Sequence, residues 1–358
     1  MRRLISMLAL CLCVCLLAGC AGTPVVYYSE CTCPAGSHEE VAVAPTEYVP
    51  TVEGALKTGL ALSASIGDSK SATGEENGEG KYDITMVAVL VDDSGVIQSC
   101  VIDGIAASVT FDEKGQITSD LTAPQTKNEL GSDYGMVAWG GAVVEWDEQA
   151  AALAAYACGK TVEELKNGAI DESGYAKEGT DLATSATIYL GGYVSVIEKA
   201  VNNAKHLGAQ AGDKLKLASV NDLSASVSAT AEASGCAQLD TTVTALTLQG
   251  NIITSCTIDA VQAKVSFDAE GVIGDVDATV ATKNELGSDY GMVAWGGAIA
   301  EWDAQAAAFA SYVTGKTAEE VTGIAVDEST HPKDADLATS VTIAIGGFQN
   351  LVVKAAQG

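Results

Sequence analysis

The sequence predicts an α+β chain made of two copies of one unit, each an antiparallel β-meander followed by helices. Three observations predict it. The stretch TKNELGSDYGMVAWGGA occurs letter for letter at residues 126–142 and 282–298, 156 positions apart. β-branched runs broken by Asp/Gly turns precede each copy, and alanine-rich stretches with apolar residues at helical spacing follow it. Strands first and helices after is the α+β order, and a two-copy period of this length describes two domains, not a solenoid.

The chain opens with Met1-Arg2-Arg3 and an apolar run over residues 4–17, followed by Ala18-Gly19-Cys20. A basic start and a short apolar run read as a signal peptide, too short to span a bilayer. The ending resembles a bacterial lipobox, which implies cleavage after residue 19 and a lipid on Cys20. Residues 1–19 are then the leader. Residues 20–55, with Pro24, Pro34, Pro45 and Pro50 and no period of 2 or 3.6, read as a tether. The expected place is the outer face of a bacterial cell membrane.

The two repeats are assigned to residues 56–208 and 209–358, each long enough to bury a core of its own. In the first, residues 60–65 alternate as a strand, residues 67–80 form a polar loop, and residues 84–91 form a β-branched strand. Asp92 to Gly95 turn the chain into strands at 96–102 and 108–111. After the repeated block, Trp146, Ala150, Leu153, Ala154 and Ala157 recur at helical spacing, and Gly159 ends that helix. Thr161 with Glu164 caps a short helix, and a last helix of about 17 residues is expected to end near Leu207-Gly208. The second repeat follows the same order, with strands at 243–248, 252–258 and 261–267 and helices at 302–313, 317–321 and beyond 342.

Composition narrows the function. The formal charge of −28 becomes −30 once Arg2 and Arg3 leave with the leader, and so acidic a surface repels nucleic acid. Cys100 and Cys256 lie in apolar strands as small hydrophobes, while Cys158 aligns with Thr314, so no pairing through it is common to both repeats. Cys31 and Cys33 lie in the tether. His38, His206 and His331 are not repeat equivalents, which argues against a duplicated triad or zinc site. Glu145 with Asp147, and Glu301 with Asp303, could be paired acids, but at a helix start they read more simply as charges favoured by its positive end.

Two features remain. Tyr134, Met136 and Trp139, with Tyr290, Met292 and Trp295, stand in a Gly-rich loop of a chain poor in aromatics, where a flat ligand could find faces. Trp146 and Trp302 read as core anchors. The second feature is the heptapeptide DLATSAT at 181–187 and DLATSVT at 336–342, small hydroxyl residues ahead of a helix that place hydroxyls and free N–H groups together. Helix capping alone would use the same residues.

The heptapeptide resembles the Asp-x-x-(Ser/Thr)-Gly-Ala-Thr motif of the FMN-binding domain family, which includes the flavin subunits of Rnf and Nqr complexes and tandem-domain surface lipoproteins. In that family the final threonine takes FMN through a phosphoester bond made by an exported flavin transferase. The resemblance implies acceptors at Thr187 and Thr342, with Asp181, Thr184, Ser185, Ala186, Asp336, Thr339 and Ser340 as motif positions. Ser185 and Ser340 stand where the family has glycine, and Val341 where it has alanine. The implied protein is an electron carrier with two FMN sites, served by a flavin transferase and a membrane quinol oxidase or reductase. The alternative is a cofactor-free surface module that holds a peptide, glycan or cation. A hydrolase built on the paired acids has neither base nor nucleophile in evidence.

Overall fold

The computed structural model describes residues 54–274 and 279–358; the leader, Cys20, Cys31, Cys33 and nearly all of the tether lie outside them. The fold is the expected α+β, with two antiparallel sheets each followed by helices.

In the first repeat, β1 (Ala55–Ser65), β2 (Gly78–Val91) and β3 (Ile97–Phe111) form a meander. The two short strands expected at 96–102 and 108–111 are therefore one, because the intervening Ile105 fits the pleat and is fully buried. Helices α1 (Lys127–Leu130), α2 (Trp146–Ala157), α3 (Val162–Ala169), α4 (Leu182–Ser185) and α5 (Gly191–Asn202) follow. The expected α5 of about 17 residues is shorter, at 12. Leu207 and Gly208 belong instead to β4 (Lys205–Gln210), which pairs with β1.

The second repeat contains β5 (Lys214–Asp222), β6 (Gly235–Gln249) and β7 (Ile252–Phe267), then β8 (Thr279–Val280). Its helices are α6 (Lys283–Leu286), α7 (Trp302–Val313), α8 (Ala318–Thr322), α9 (Ala335–Ala338) and α10 (Gly346–Gln357). Strand β5 was not assigned from the sequence, although Lys214-Leu215-Lys216-Leu217 alternates polar and apolar as a half-buried strand does.

β2 explains how the layers stack. Its run Met86–Val91 is apolar at every position, so alternation splits it between two faces. Ile84, Met86, Ala88 and Leu90 point toward the other sheet, while Val87, Val89 and Val91 point to the helices of their own repeat. β6 and β7 do the same: Leu239, Val243, Val261 and Val265 face inward, Leu246 and Ile258 outward. The result is helix, sheet, sheet, helix, with one core shared between the sheets. The expectation that each repeat buries its own core is met only for the outer, helix-covered faces.

The two repeats grip each other reciprocally. Phe111 stacks on its equivalent Phe267 with ring centroids 3.9 Å apart. Ala72 N–H donates to Gly271 O, and Ala229 N–H to Gly115 O, each at 2.8 Å. Lys199 on α5 pairs with Glu285 on α6 at 2.6 Å, and Lys354 on α10 with Glu129 on α1 at 2.5 Å. β8 of the second repeat adds itself to β1 of the first. These are the contacts of a symmetric dimer within one chain.

Candidate functional site

The repeated block begins as a structural device. Thr126 caps α1, with its hydroxyl accepting from Glu129 N–H while the Glu129 carboxylate accepts from Thr126 N–H; Thr282 and Glu285 repeat this around α6. Both are capping boxes. Burial raises the Glu129 carboxyl, but Lys354 and the Thr126 donors outweigh it and hold the group below its ordinary value. Lys127 is buried with its ammonium 5.3 Å above the Tyr134 ring and 5.0 Å above Trp146; Lys283 sits likewise over Tyr290 and Trp302. Two aromatic faces offset the burial of that charge. Tyr134 and Tyr290 are thus half spent on a lysine.

The block is fastened to its sheet by a buried aspartate. Asp103 Oδ1 accepts from Gly104 N–H at 2.7 Å and Asn128 N–H at 3.1 Å; Asp259 accepts from Ala260 and Asn284 at the same distances. Burial pushes the Asp259 carboxyl up to about 6, against opposing hydrogen bonds from Thr282, Asn284 and Ala260. Asp103 is raised for the same reason. A carboxyl raised on folding contributes stability that is full below its unfolded value near 3.8 and is lost as pH climbs through about 6. The shift corresponds to roughly 3 kcal/mol. Other carboxylates titrate in the opposite sense, so the informative quantity is a difference: denaturation midpoints of wild type and Asp259→Asn, taken from pH 4.5 to pH 8. We expect the variant to lose less stability on going to pH 8. Parallel curves would remove Asp259 as the titrating group.

After the capping box the chain passes through a 3₁₀ turn (Gly131–Tyr134) to Gly135 at φ 81°, a left-handed conformation natural to glycine. A Cβ there would also meet Trp139 Cδ1 at 2.3 Å, so the indole lies against the bare backbone. Trp139 N–H donates to Gly135 O, Ala142 N–H to Met136 O, and the Met136 and Val137 N–H groups to the Glu145 carboxylate at 2.8 and 3.2 Å. Glu145 is the residue before α2, and Glu301 does the same for Met292 and Val293. Of each acid pair, Glu145 and Glu301 are therefore loop anchors, while Asp147 and Asp303 stand in the first turn of the helix, where Asp147 Oδ1 is buried without a hydrogen-bond partner. Met136 and Met292 are half-buried. Trp139 and Trp295 are each 90% exposed, with Val143 and Ile299 exposed beside them in sequence. Trp146 and Trp302 are the core anchors expected.

The heptapeptide departs from its expected setting. Thr187 and Thr342 do not open a helix: they follow the short helices α4 and α9 and precede α5 and α10 by several residues. The caps of α5 and α10 are Leu190 and Ile345, which have no capping side chain. Thr187 is held instead by Gln149, a fully buried side chain one turn beyond Glu145 on α2. Gln149 Oε1 accepts from Thr187 N–H at 2.8 Å, Ile188 N–H at 3.1 Å and the Thr187 hydroxyl at 3.3 Å, while its amide donates to Val144 O. Gln305 treats Thr342 and Ile343 identically. Ala186 and Val341 point into the core, and both threonines remain exposed. The hydroxyls of Thr184 and Thr339 turn back onto the Asp181 and Asp336 carbonyls. Ser185 and Ser340 have negative φ, so nothing in the backbone requires the family's glycine.

One helix thus organises both features in each repeat: Glu145 holds the tryptophan loop and Gln149 the threonine. Sequence reasoning passed over the glutamine, whose signal was a polar residue on an otherwise buried helix face. It also passed over the lysine-to-aromatic stack. Cys256 is buried and its thiol pushed up to about 12 by that burial, in keeping with a small hydrophobe.

A cavity of about 580 Å³ opens where the second repeat meets the end of β1, walled by Gln262, Lys264, Lys283, Tyr290 and Leu286 with Ile66 of the first repeat. Thr342, Met292 and Trp295 do not line it. Among the described residues no group of three or more His, Cys, Asp or Glu side chains could hold a metal ion, and no helix is long and apolar enough to cross a membrane. Comparisons with protein-family models, curated proteins and solved structures return no match to this chain.

Proposed function

We propose that the chain is an anchored, extracytoplasmic electron carrier bearing one FMN on the surface threonine of each repeat. The observation that supports this is the same in both: the motif threonine is exposed, yet its backbone is fixed by a buried glutamine. An accessible hydroxyl on a rigid backbone suits esterification by an exported transferase. The fit is to covalent attachment alone, because the N–H groups of Thr187 and Ile188 are engaged by Gln149 and cannot cradle a free phosphate. When bound, the flavin would supply the redox chemistry. The residues would supply position: Gln149 and Gln305 set the attachment point, while Glu145 and Glu301 set the loop bearing Trp139 or Trp295. A membrane quinol oxidase or reductase would be the electron donor.

Thr187→Ala is expected to remove one covalent FMN from protein exported by a transferase-bearing host, and Thr187→Ala with Thr342→Ala to remove both, as read by intact mass and visible absorption. Gln149 Oε1 keeps its two backbone donors when the exposed hydroxyl and its 3.3 Å bond are lost, so stability should change by no more than about 0.5 kcal/mol. A colourless wild type of unmodified mass would end this reading. The second reading, a cofactor-free binding module, is favoured by the 90% exposure of Trp139 and Trp295, a large apolar surface left to solvent on a hydrogen-bonded loop.

A further inference from the structure

The repeated block is the same in both repeats, but the sheet wall facing it is not. In the second repeat Gln238, Gln262 and Lys264 project from β6 and β7 at positions where the first has Lys81, Ala106 and Ser108. Asp240 ties the new wall together, accepting from Gln238 Nε2 at 2.8 Å and from Gln262 Nε2 at 3.0 Å. Tyr290 O–H then donates to Gln262 Oε1 at 3.1 Å, joining the wall to the block. The cavity of about 580 Å³ lies against this network.

We propose that this cleft, built on the second repeat with Ile66 of the first in its wall, is a binding site for a small organic anion with an apolar body. Lys264 supplies the charge: its side chain is exposed, and no carboxylate among the described residues forms an ion pair with it. Lys283, stacked on the Tyr290 and Trp302 rings, adds positive potential in a chain that is otherwise strongly acidic. Ile66, Val280 and Leu286 give the apolar body its surface. The volume falls in the range of small-molecule sites, and a few fixed polar groups in a mainly apolar wall are the usual composition of one. The inference does not rest on the flavin reading, because Thr342 is outside the cleft.

The test is titration of the intact chain with benzoate and, separately, phenyl phosphate at low salt, followed by ligand-observed NMR and calorimetry. One saturable site for either probe is expected, and the better probe identifies the anion as carboxylate or phosphate. Lys264→Gln, an exposed change that leaves the fold intact, should weaken binding at least tenfold, and Gln262→Ala should weaken it less. Thr342→Ala should leave it unchanged, which separates this site from any flavin attachment. No saturable binding of either probe, or equal affinity in Lys264→Gln, overturns the proposal.

Discussion

Expressed alone, the second repeat (residues 209–358) is expected to be recovered as a homodimer or in insoluble form, not as a folded monomer. Cutting the chain there strips one whole face from each sheet, exposing Val243, Val261, Val265 and Phe267 on one side and Leu62, Ile84, Met86 and Phe111 on the other. Each such side chain contributes about 1.5–3 kcal/mol by burial, so the four named on each side are together comparable to the whole 5–15 kcal/mol net stability of a typical domain. A second copy of the same repeat can replace the missing partner. Phe267 would stack on its own equivalent, and Lys354 of each copy would meet Glu285 of the other, because Lys199 and Glu129 are their counterparts in the intact chain. Light scattering coupled to gel filtration reads the mass directly. Co-expression of residues 54–208 with 209–358 should instead yield a one-to-one complex. A soluble, cooperatively folding monomer of either half would refute the shared core.

That shared core marks where sequence reading stopped. The order of strands and helices, the capping box at Thr161, and the core placement of Trp146 and Trp302 were legible because each depends on neighbours within a few residues. The partner of the inner sheet face was not. Uninterrupted apolar strands such as Met86–Val91 announce burial on both sides but do not say what covers the second side. A repeat that folds alone and one that folds only against its twin have the same alternation. The candidate site was legible in the same partial way. Its residues could be picked out as unusual, but Tyr134 could not be told from Trp139. Only the fold shows that Lys127 occupies the tyrosine face while the tryptophan is left to solvent. The threonines were expected at a helix start because small hydroxyls favour that position. The buried glutamine that holds them lies 38 residues away in the first repeat, beyond any local pattern.

That glutamine carries the second large effect. Gln149→Leu is expected to destabilise the chain by about 2–4 kcal/mol, because two backbone donors and the Val144 carbonyl lose their partner and each orphaned group costs about 1–3 kcal/mol. Thr187 is exposed enough for water to recover part of that loss, which sets the lower figure. Leucine is close in size, so the helix should stay packed and the damage should centre on residues 186–190, read as faster amide exchange there than in β2. Gln305→Leu should do the same around Thr342. The comparison with Thr187→Ala then divides structure from function. The alanine variant removes the hydroxyl and keeps the scaffold, whereas the leucine variant keeps the hydroxyl and loosens the scaffold. If a transferase recognises a fixed threonine, both should lose the flavin on that repeat, and only the leucine variant should lose stability. If it recognises the heptapeptide as an extended segment, Gln149→Leu should keep or gain flavin while losing stability. The geometric support would then move from the rigidity of the site to its exposure alone.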